Sequence, residues 1–332
     1  MRNILLIYTG GTIGMEKDPS TNLLKTVNFD KLSSSIPEIR HDETKIHHLS
    51  LKNVIDSSNM NQNYWIEIVE IIESNYNKMD GFVILHGSDT MAYSASILSF
   101  MLRGLSKPVI FTGSQIPIGA RRTDAKENLI TSIEIATNQN IKEVCIYFED
   151  KLLRGNRTVK VNSQQFEAFH SPNYPALAKV GVNNKYNDRY LRQVNSQEFT
   201  VHKKLSDNVA ILKLFPGMSK NTIFNIINSA DNIVMESFGS GNSTNEEWFL
   251  TELQSAIQKG KLIENCRQCI SGIVKQGKYE ASSELEKIGV LSAIDMTTEA
   301  ALAKLMYLAG NVSSIEKRKV LFLKNLRGEI SN

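Results

Sequence analysis

The thirteen residues Gly81–Tyr93, GFVILHGSDTMAY, hold a strand, a turn and the start of a helix. Phe82–Leu85 is a short unbroken apolar run, the pattern of a strand covered on both faces. His86-Gly87-Ser88-Asp89-Thr90 then turns the chain. Beyond it, DTMAYSASILSFMLRG places Ala95, Leu98 and Leu102 on one helical stripe and ends at Gly104. A strand feeding a helix through one tight turn is half of a parallel β-α-β unit.

The same alternation runs outward in both directions. NILLIYTGGTIGM (3–15) is an apolar strand ending in a glycine pair, and NQNYWIEIVEIIESNY sets Trp65, Ile68, Val69 and Ile72 at helical spacing. After the central stretch come PVIFTGS as strand, ENLITSIEIATN as helix and EVCIYFE as strand, with Cys145 a buried strand residue. The tract 185–207 breaks the rhythm with Asn, Gln and charges, and reads as a linker holding a short strand at EFTVH. NVAILKLF, KNTIFNIINSA, NIVMESF and EEWFLTELQSAIQKG restart the alternation, and TTEAALAKLMYLAG and SIEKRKVLFLKNL close the chain as helices. The expectation is two α/β domains: a larger one over 1–184 with a mostly parallel, flavodoxin- or Rossmann-like sheet, and a smaller parallel-sheet domain over 208–332. A length of 332 residues suits two domains, since one usually takes about 100–200.

Composition excludes several classes. Net charge is +3, with basic and acidic residues interspersed, so no stripe follows a phosphate backbone and no nucleic-acid partner is expected. Lys317-Arg318-Lys319, the densest basic cluster, reads as a solvated helix face. No apolar run approaches a membrane span, and the short one after Met1 lacks a cleavage pattern, so no membrane partner and no targeting segment are expected. The three cysteines, Cys145, Cys266 and Cys269, cannot form a disulfide framework, which points to a reducing cytoplasm. Cys266-Arg267-Gln268-Cys269 has zinc spacing, but no second pair closes a site, and the adjacent His47 and His48 would face opposite ways on a strand; no metal is expected.

In open α/β sheets, ligands bind beyond the carboxyl ends of the strands. Three such ends carry hydroxyl or acid groups beside glycine: Thr9-Gly10-Gly11-Thr12, His86-Gly87-Ser88-Asp89-Thr90 and Thr112-Gly113-Ser114-Gln115. The first approximates a dinucleotide fingerprint, but that motif needs a helix directly behind it, and MEKDPSTNLLK contains Pro19 and no helical stripe. A Walker loop fails because no Gly-Lys-Ser/Thr follows. What remains is a turn that presents Thr12, with a loop behind it that could serve as a lid, or a plain strand-to-loop turn. In the second end, Ser88 or Asp89 is a natural helix N-cap; alternatively, Asp89 could bind an ammonium group. A third segment, Arg154-Gly155-Asn156-Arg157-Thr158-Val159-Lys160, is either a basic surface loop or the carrier of Lys160 into the site, where neighbouring cations and desolvation would suit a lysine base.

YTGGTIGM and GFVILHGSDTMAY resemble the two signature regions of the bacterial-type L-asparaginases. GSQIPIG, RGNRTVK, SFGSGN and DMTTEAALAKLMYL extend the likeness over nearly the whole chain, and GGTIGM, DSSNM and RGNRT resemble the cytoplasmic type I branch. The resemblance implies hydrolysis of L-asparagine to L-aspartate and ammonia, with no cofactor. Thr12 would be the nucleophile, Ser88 the second hydroxyl, Lys160 the base acting through it, and Asp89 the partner of the substrate α-amino group. Ser57 and Ser58 match positions that hold the α-carboxylate and amino group. Ser114 belongs with the substrate-binding set, and Asn242 matches a residue lent to the neighbouring subunit. A homodimer, or a tetramer of intimate dimers, is implied as well.

The match has departures. Ser88 stands where threonine is usual, no tyrosine occurs between Tyr8 and Tyr64 although many members have one in the loop after the nucleophile, and Ala125 replaces a common glycine. Glu236 and Val159 occupy positions where some type I members use Arg and Thr to bind an activating asparagine, so that control is expected to be absent or altered. Three other readings compete. One is the asparaginase-like subunit of a tRNA-dependent amidotransferase, which carries an extra N-terminal domain before the nucleophile loop, whereas Thr12 here lies almost at the start of the sequence. The others are a glutaminase activity and a non-catalytic amino-acid-binding protein.

Overall fold

The apolar runs become the centre of a large sheet. The protein is described here by a computed structural model covering residues 1–17, 20–21, 24–26, 43–193, 198–277 and 280–331, which divide into two units, Met1–Lys203 and Lys204–Asn332.

The first unit is built on eight strands: β1 (Arg2–Gly10), β2 (Thr44–Ile55), β3 (Gly81–Leu85), β4 (Val109–Thr112), β5 (Val144–Phe148), β6 (Lys151–Arg154), β7 (Ala178–Lys179) and β8 (Lys185–Tyr186). Their order is β8-β7-β6-β5-β4-β3-β1-β2. The five from β2 through β1, β3 and β4 to β5 are parallel, and β6 to β8 continue the sheet antiparallel. Helices α1 (Gln62–Asn75), α2 (Met91–Met101) and α3 (Ala125–Ala136) lie between successive parallel strands along the chain. Ile4 to Tyr8 in β1 and Phe82 to Leu85 in β3 are almost wholly buried, as strands covered on both faces must be. Each such aliphatic side chain contributes about 1.5–3 kcal/mol relative to an exposed one.

The parallel order 2-1-3-4-5 fixes where a site can form. From β1 the chain steps to one side, to β2, and from β3 onward to the other. Crossovers diverge at this point and leave a crevice beyond the carboxyl ends of β1 and β3.

Helix α2 is shorter than its apolar stripe. It ends at Met101, and Leu102–Arg103 pairs antiparallel with Thr200–Val201, within EFTVH. The strand pairing takes the backbone groups that another helical turn would need; Gly104, with φ +71°, follows. Behind β1, Met15–Lys17 and Leu24–Thr26 form a small antiparallel pair. Four residues of the expected lid, Asp18, Pro19, Asn22 and Leu23, lie outside the described residues.

The second unit has a four-stranded parallel sheet, β9 (Val209–Lys213), β10 (Asn232–Ser237), β11 (Leu262–Arg267) and β12 (Leu291–Ser292), in sequential order. Helices α4 (Lys220–Ser229) and α5 (Glu247–Gln258) bury Ile223, Ile227, Phe249 and Leu253 against Leu212, Ile233 and Ile263. Helix α6 (Thr298–Asn311) buries Ala300, Leu305 and Leu308, and α7 (Ile315–Phe322) follows it. No helix among the described residues is long and apolar enough to cross a membrane.

Candidate active site

Glycines let three chain segments meet backbone to backbone at the crevice. Gly11 has φ +84°, and a Cβ there would lie 2.4 Å from the nitrogen of Gly87. A Cβ on Gly87 would in turn lie 2.5 Å from Ser57 Oγ. Any side chain at either position would push the loops apart, so both must be glycine. The end of β1 is also tied to that of β3, because Thr9 Oγ1 donates to the Leu85 carbonyl at 2.9 Å. Thr12–Gly14 makes a single tight helical turn directly after Gly11, with Thr12 partly buried and Ile13 fully so. Beneath it Tyr8 donates to the Gly14 carbonyl at 3.0 Å, and burial pushes that phenol up to about 12, so it remains a donor.

The turn after β3 is braced from behind by His86. Burial lowers this imidazole to about 4, although its bond to Gly87 works the other way. The ring is therefore neutral near pH 7. Its Nδ1 lies 2.7 Å from the Gly87 carbonyl, which can only accept, so Nδ1 carries the proton. Nε2 then accepts from Ser94 Oγ at 2.9 Å, and Ser94 accepts from Trp65 Nε1 at 2.8 Å.

Neither Ser88 nor Asp89 caps the helix, contrary to the capping alternative. The N-cap of α2 is Thr90, and its side chain makes no cap either. Thr90 Oγ1 instead donates 2.8 Å to the Ser57 carbonyl, joining this turn to the end of β2. Ser88 and Asp89 are thereby left to meet Lys160. Its Nζ lies 2.8 Å from Ser88 Oγ and 2.5 Å from Asp89 Oδ1. The lysine side chain is 16% exposed and that of Asp89 68%, so the carboxylate still faces solvent beside its partner.

Lys160 reaches this point from a two-residue strand, Val159–Lys160, paired with Phe169–His170. The segment before it is no surface loop. Arg154, Asn156, Arg157 and Thr158 are all buried. Arg154 Nε meets Glu143 Oε2 at 2.5 Å; burial opposes the guanidinium charge, and the carboxylate more than restores it. Asn156 donates to Ser99 Oγ at 3.1 Å, and Thr158 Oγ1 to the Arg154 carbonyl at 2.7 Å. This frame aims Lys160. The rationale of neighbouring cations does not hold, because the ion-pair partner of Lys160 is the Asp89 carboxylate.

The remaining candidates fall into three groups. Ser57 is buried at the junction, whereas the exposed Ser58 donates its N–H to Asp56 Oδ1 at 2.8 Å. Ser114 is buried and its hydroxyl donates to the Ile116 carbonyl at 2.7 Å, a bond that shapes the loop after β4. Asn242 lies in the second unit, in a tight turn closed by two 2.8 Å backbone bonds with Phe238. Glu236, also in that unit, accepts from Thr298 Oγ1 at 2.6 Å and lies 3.3 Å from Lys213. Sequence reasoning named Gln115 within a strand end but gave it no role; in the structure its Oε1 lies 3.2 Å from Ser88 Oγ. Its place beside Ser114, at the carboxyl end of a parallel strand, was the available signal.

Known proteins share this fold. The family model described as "Asparaginase, N-terminal" matches residues 3–192, and that of the "Glutaminase/Asparaginase C-terminal domain" matches residues 208–322. The chain belongs to the asparaginase family. It is 37% identical over 341 residues to L-asparaginase 1 of Escherichia coli, covering 99% of this chain and 98% of that protein. It is 39% identical over 354 residues to the 60 kDa lysophospholipase of Mus musculus, matching with 99% of its own length but spanning only 63% of that protein. Among solved structures, L-asparaginase I from Vibrio cholerae matches with a TM-score of 0.91 and 38% identity, covering 100% of this chain and 99% of the other. The asparaginase-family fold thus brings together, in this chain, the Gly11–Thr12 turn with Gly87 and Ser57, and Lys160 with Ser88 and Asp89.

Proposed function

We propose that this protein hydrolyses the side-chain amide of L-asparagine, giving L-aspartate and ammonia, by way of an acyl-enzyme on Thr12. The observation that carries the reading is the contact of Lys160 with both Ser88 and Asp89 beside the Gly11–Thr12 turn.

Asp89 binds the substrate α-ammonium through its exposed carboxylate, with Ser57 and Ser58 near the α-carboxylate and Ser114 closing the far side. A threonine hydroxyl attacks an amide only as a base removes its proton. Lys160, as the free amine, takes a proton from Ser88, and Ser88 takes one from Thr12. The substrate ammonium competes for the same carboxylate that holds Lys160 in the resting site, so binding frees the lysine for this step. Thr12 Oγ bonds to the amide carbon, and backbone N–H groups of the turn stabilise the oxyanion. The nitrogen leaves as ammonia after receiving the proton held by Lys160, and an ester remains on Thr12. Water then attacks the ester by the same relay and releases aspartate. The reading extends to a type I enzyme of the cytoplasm, a dimer or a tetramer of intimate dimers, with Asn242 supplied to the neighbouring subunit's site.

Steady-state ammonia release from asparagine and from glutamine, beside fatty-acid release from a lysophospholipid, is the test. Asparagine turnover is expected to exceed the other two, and Thr12→Ala is expected to abolish it while the melting temperature stays near the parent's. Near-normal ammonia release by Thr12→Ala would sink the assignment, as would lipid cleavage without amide hydrolysis.

A further inference from the structure

Ser88 is a serine where the family usually has threonine, and its hydroxyl has two side-chain partners. Lys160 Nζ donates to the oxygen at 2.8 Å, so the hydroxyl hydrogen points to Gln115 Oε1 at 3.2 Å. The Gln115 amide is itself aimed. Its Nε2 donates to the Gln165 carbonyl at 3.0 Å, which turns Oε1 toward Ser88.

The backbone beneath Gln115 is equally fixed. The N–H groups of Gln115 and Ile116 donate to the two carboxylate oxygens of the buried Asp124, at 2.9 and 3.1 Å. Asn128, also buried, donates to Asp124 at 3.3 Å and to the Gly113 carbonyl at 3.0 Å, and accepts from the Glu149 N–H at 3.0 Å. A satisfied buried network of this kind is rigid. It ends at one solvent-side acceptor pointed at one hydroxyl.

A threonine at position 88 would have its χ1 restricted by the β-methyl, whereas serine samples three staggered wells. We propose that Gln115 is the positioning residue for Ser88, holding its oxygen against Lys160 in the resting site in place of the missing methyl, until the freed amine draws the hydroxyl hydrogen over. The inference rests on the reading of Ser88 as the hydroxyl through which Lys160 acts. The Gln115 side chain bonds to Ser88 and to the Gln165 carbonyl, and in this role it works through Ser88.

The size of the effect follows from its parts. Release of one well into three costs about threefold, and loss of a hydrogen bond of ordinary net strength about fivefold. Gln115→Met, close in shape but without an acceptor of that kind, is therefore expected to lower kcat for asparagine about tenfold, with KM little changed. In a Ser88→Thr background the methyl fixes the rotamer, and the same change is expected to cost only the hydrogen bond's share, about fivefold or less.

The experiment is a double-mutant cycle of parent, Ser88→Thr, Gln115→Met and the combination, by steady-state ammonia release, with circular dichroism and melting curves on each. Dependence of the kcat loss on the residue at 88 supports the proposal. Equal losses in both backgrounds, a loss confined to KM, or no loss overturn it. If Gln115→Met does not fold, Gln115→Glu takes its place in both backgrounds. It cannot donate to the Gln165 carbonyl, so its acceptor is unaimed and the same background dependence is expected; independence from residue 88 overturns the role. Ser88→Ala separates the two layers. If it keeps the parent's kcat, the relay reading fails and the positioning role with it. If Ser88→Ala loses kcat while Gln115→Met does not, only the positioning role falls.

Discussion

Glu264 offers a test of the fold's electrostatics away from the site. It lies in β11, between Val234 of β10 and Leu291 of β12 in the strand register, and is fully buried. Neither carboxyl oxygen has a hydrogen-bond partner among the described residues. The nearby Lys304 is engaged elsewhere: its Nζ lies 2.6 Å from Glu329 Oε1 and 2.6 Å from the Lys324 carbonyl, both it and Glu329 being buried. Burial therefore raises the Glu264 carboxyl well above its ordinary value of 4.5, with Lys304 pulling only partly back. The folded chain then keeps a proton that the unfolded chain has released. The stability this group contributes is fully present below about pH 4.5 and is lost as pH rises toward its folded pKa, at about 1.4 kcal/mol per pH unit.

Glu264→Gln keeps the shape and removes the titration. Its buried amide costs about as much as the protonated acid near pH 4.5, so the two proteins should be similar there. Above it, the variant's advantage should grow at about 1.4 kcal/mol per pH unit. Urea unfolding at several pH values between 4.5 and 7.5, followed by Trp248, the one tryptophan of this unit, measures it. The difference in slope between the two proteins is the readout, because every other titrating group is shared. Parallel profiles would mean that Glu264 is ionised in the fold, and the reasoning from burial would be wrong.

Other outcomes are as specific. Glu143→Ala, which leaves the buried Arg154 guanidinium without its carboxylate, should destabilise the first unit by about 3–5 kcal/mol; a melting temperature within a degree of the parent's would refute the role given to that pair. Lys160→Met should lower kcat by about 10²–10⁴-fold with substrate binding largely retained, as expected for loss of a base; unchanged kcat excludes it as the base. Glu236 sets a negative charge where some relatives bind an effector carboxylate, so asparagine saturation should be hyperbolic; a sigmoidal curve would count against that reading.

How much of this the sequence disclosed depended on how far each contact reaches. Strands β1, β3, β4 and β5 were legible because each is buried on both faces and so reads as an unbroken apolar run. Strand β2 was not: in TKIHHLSLKNVI only Leu51 is buried, and an edge strand gives no such run. The last two strands of the antiparallel end have two residues each, too short for any period to show. RGNRT left two readings open for a different reason. Arginines suggest a surface, and only the pairing of Arg154 with Glu143, eleven residues earlier, makes burial affordable. The meeting of Lys160 with Ser88 spans 72 positions and came from family likeness, not from spacing.

The hydroxyls show why strand-end chemistry is over-read from sequence. Thr9, Thr90, Thr112 and Ser114 all sit at the candidate ends, and each gives its hydrogen to a backbone carbonyl: those of Leu85, Ser57, Tyr147 and Ile116. Such a hydroxyl satisfies a main-chain acceptor and fixes a loop; taking it away leaves that acceptor unpaired, at a cost of about 1–3 kcal/mol where it is buried. Ser88 differs in kind, since both of its partners are side chains and one is an amine able to exchange a proton. A substitution at Thr9 or Thr112 should therefore show first in the melting temperature, and one at Ser88 first in kcat. Residue type alone cannot draw that distinction, because it depends on where each hydrogen points.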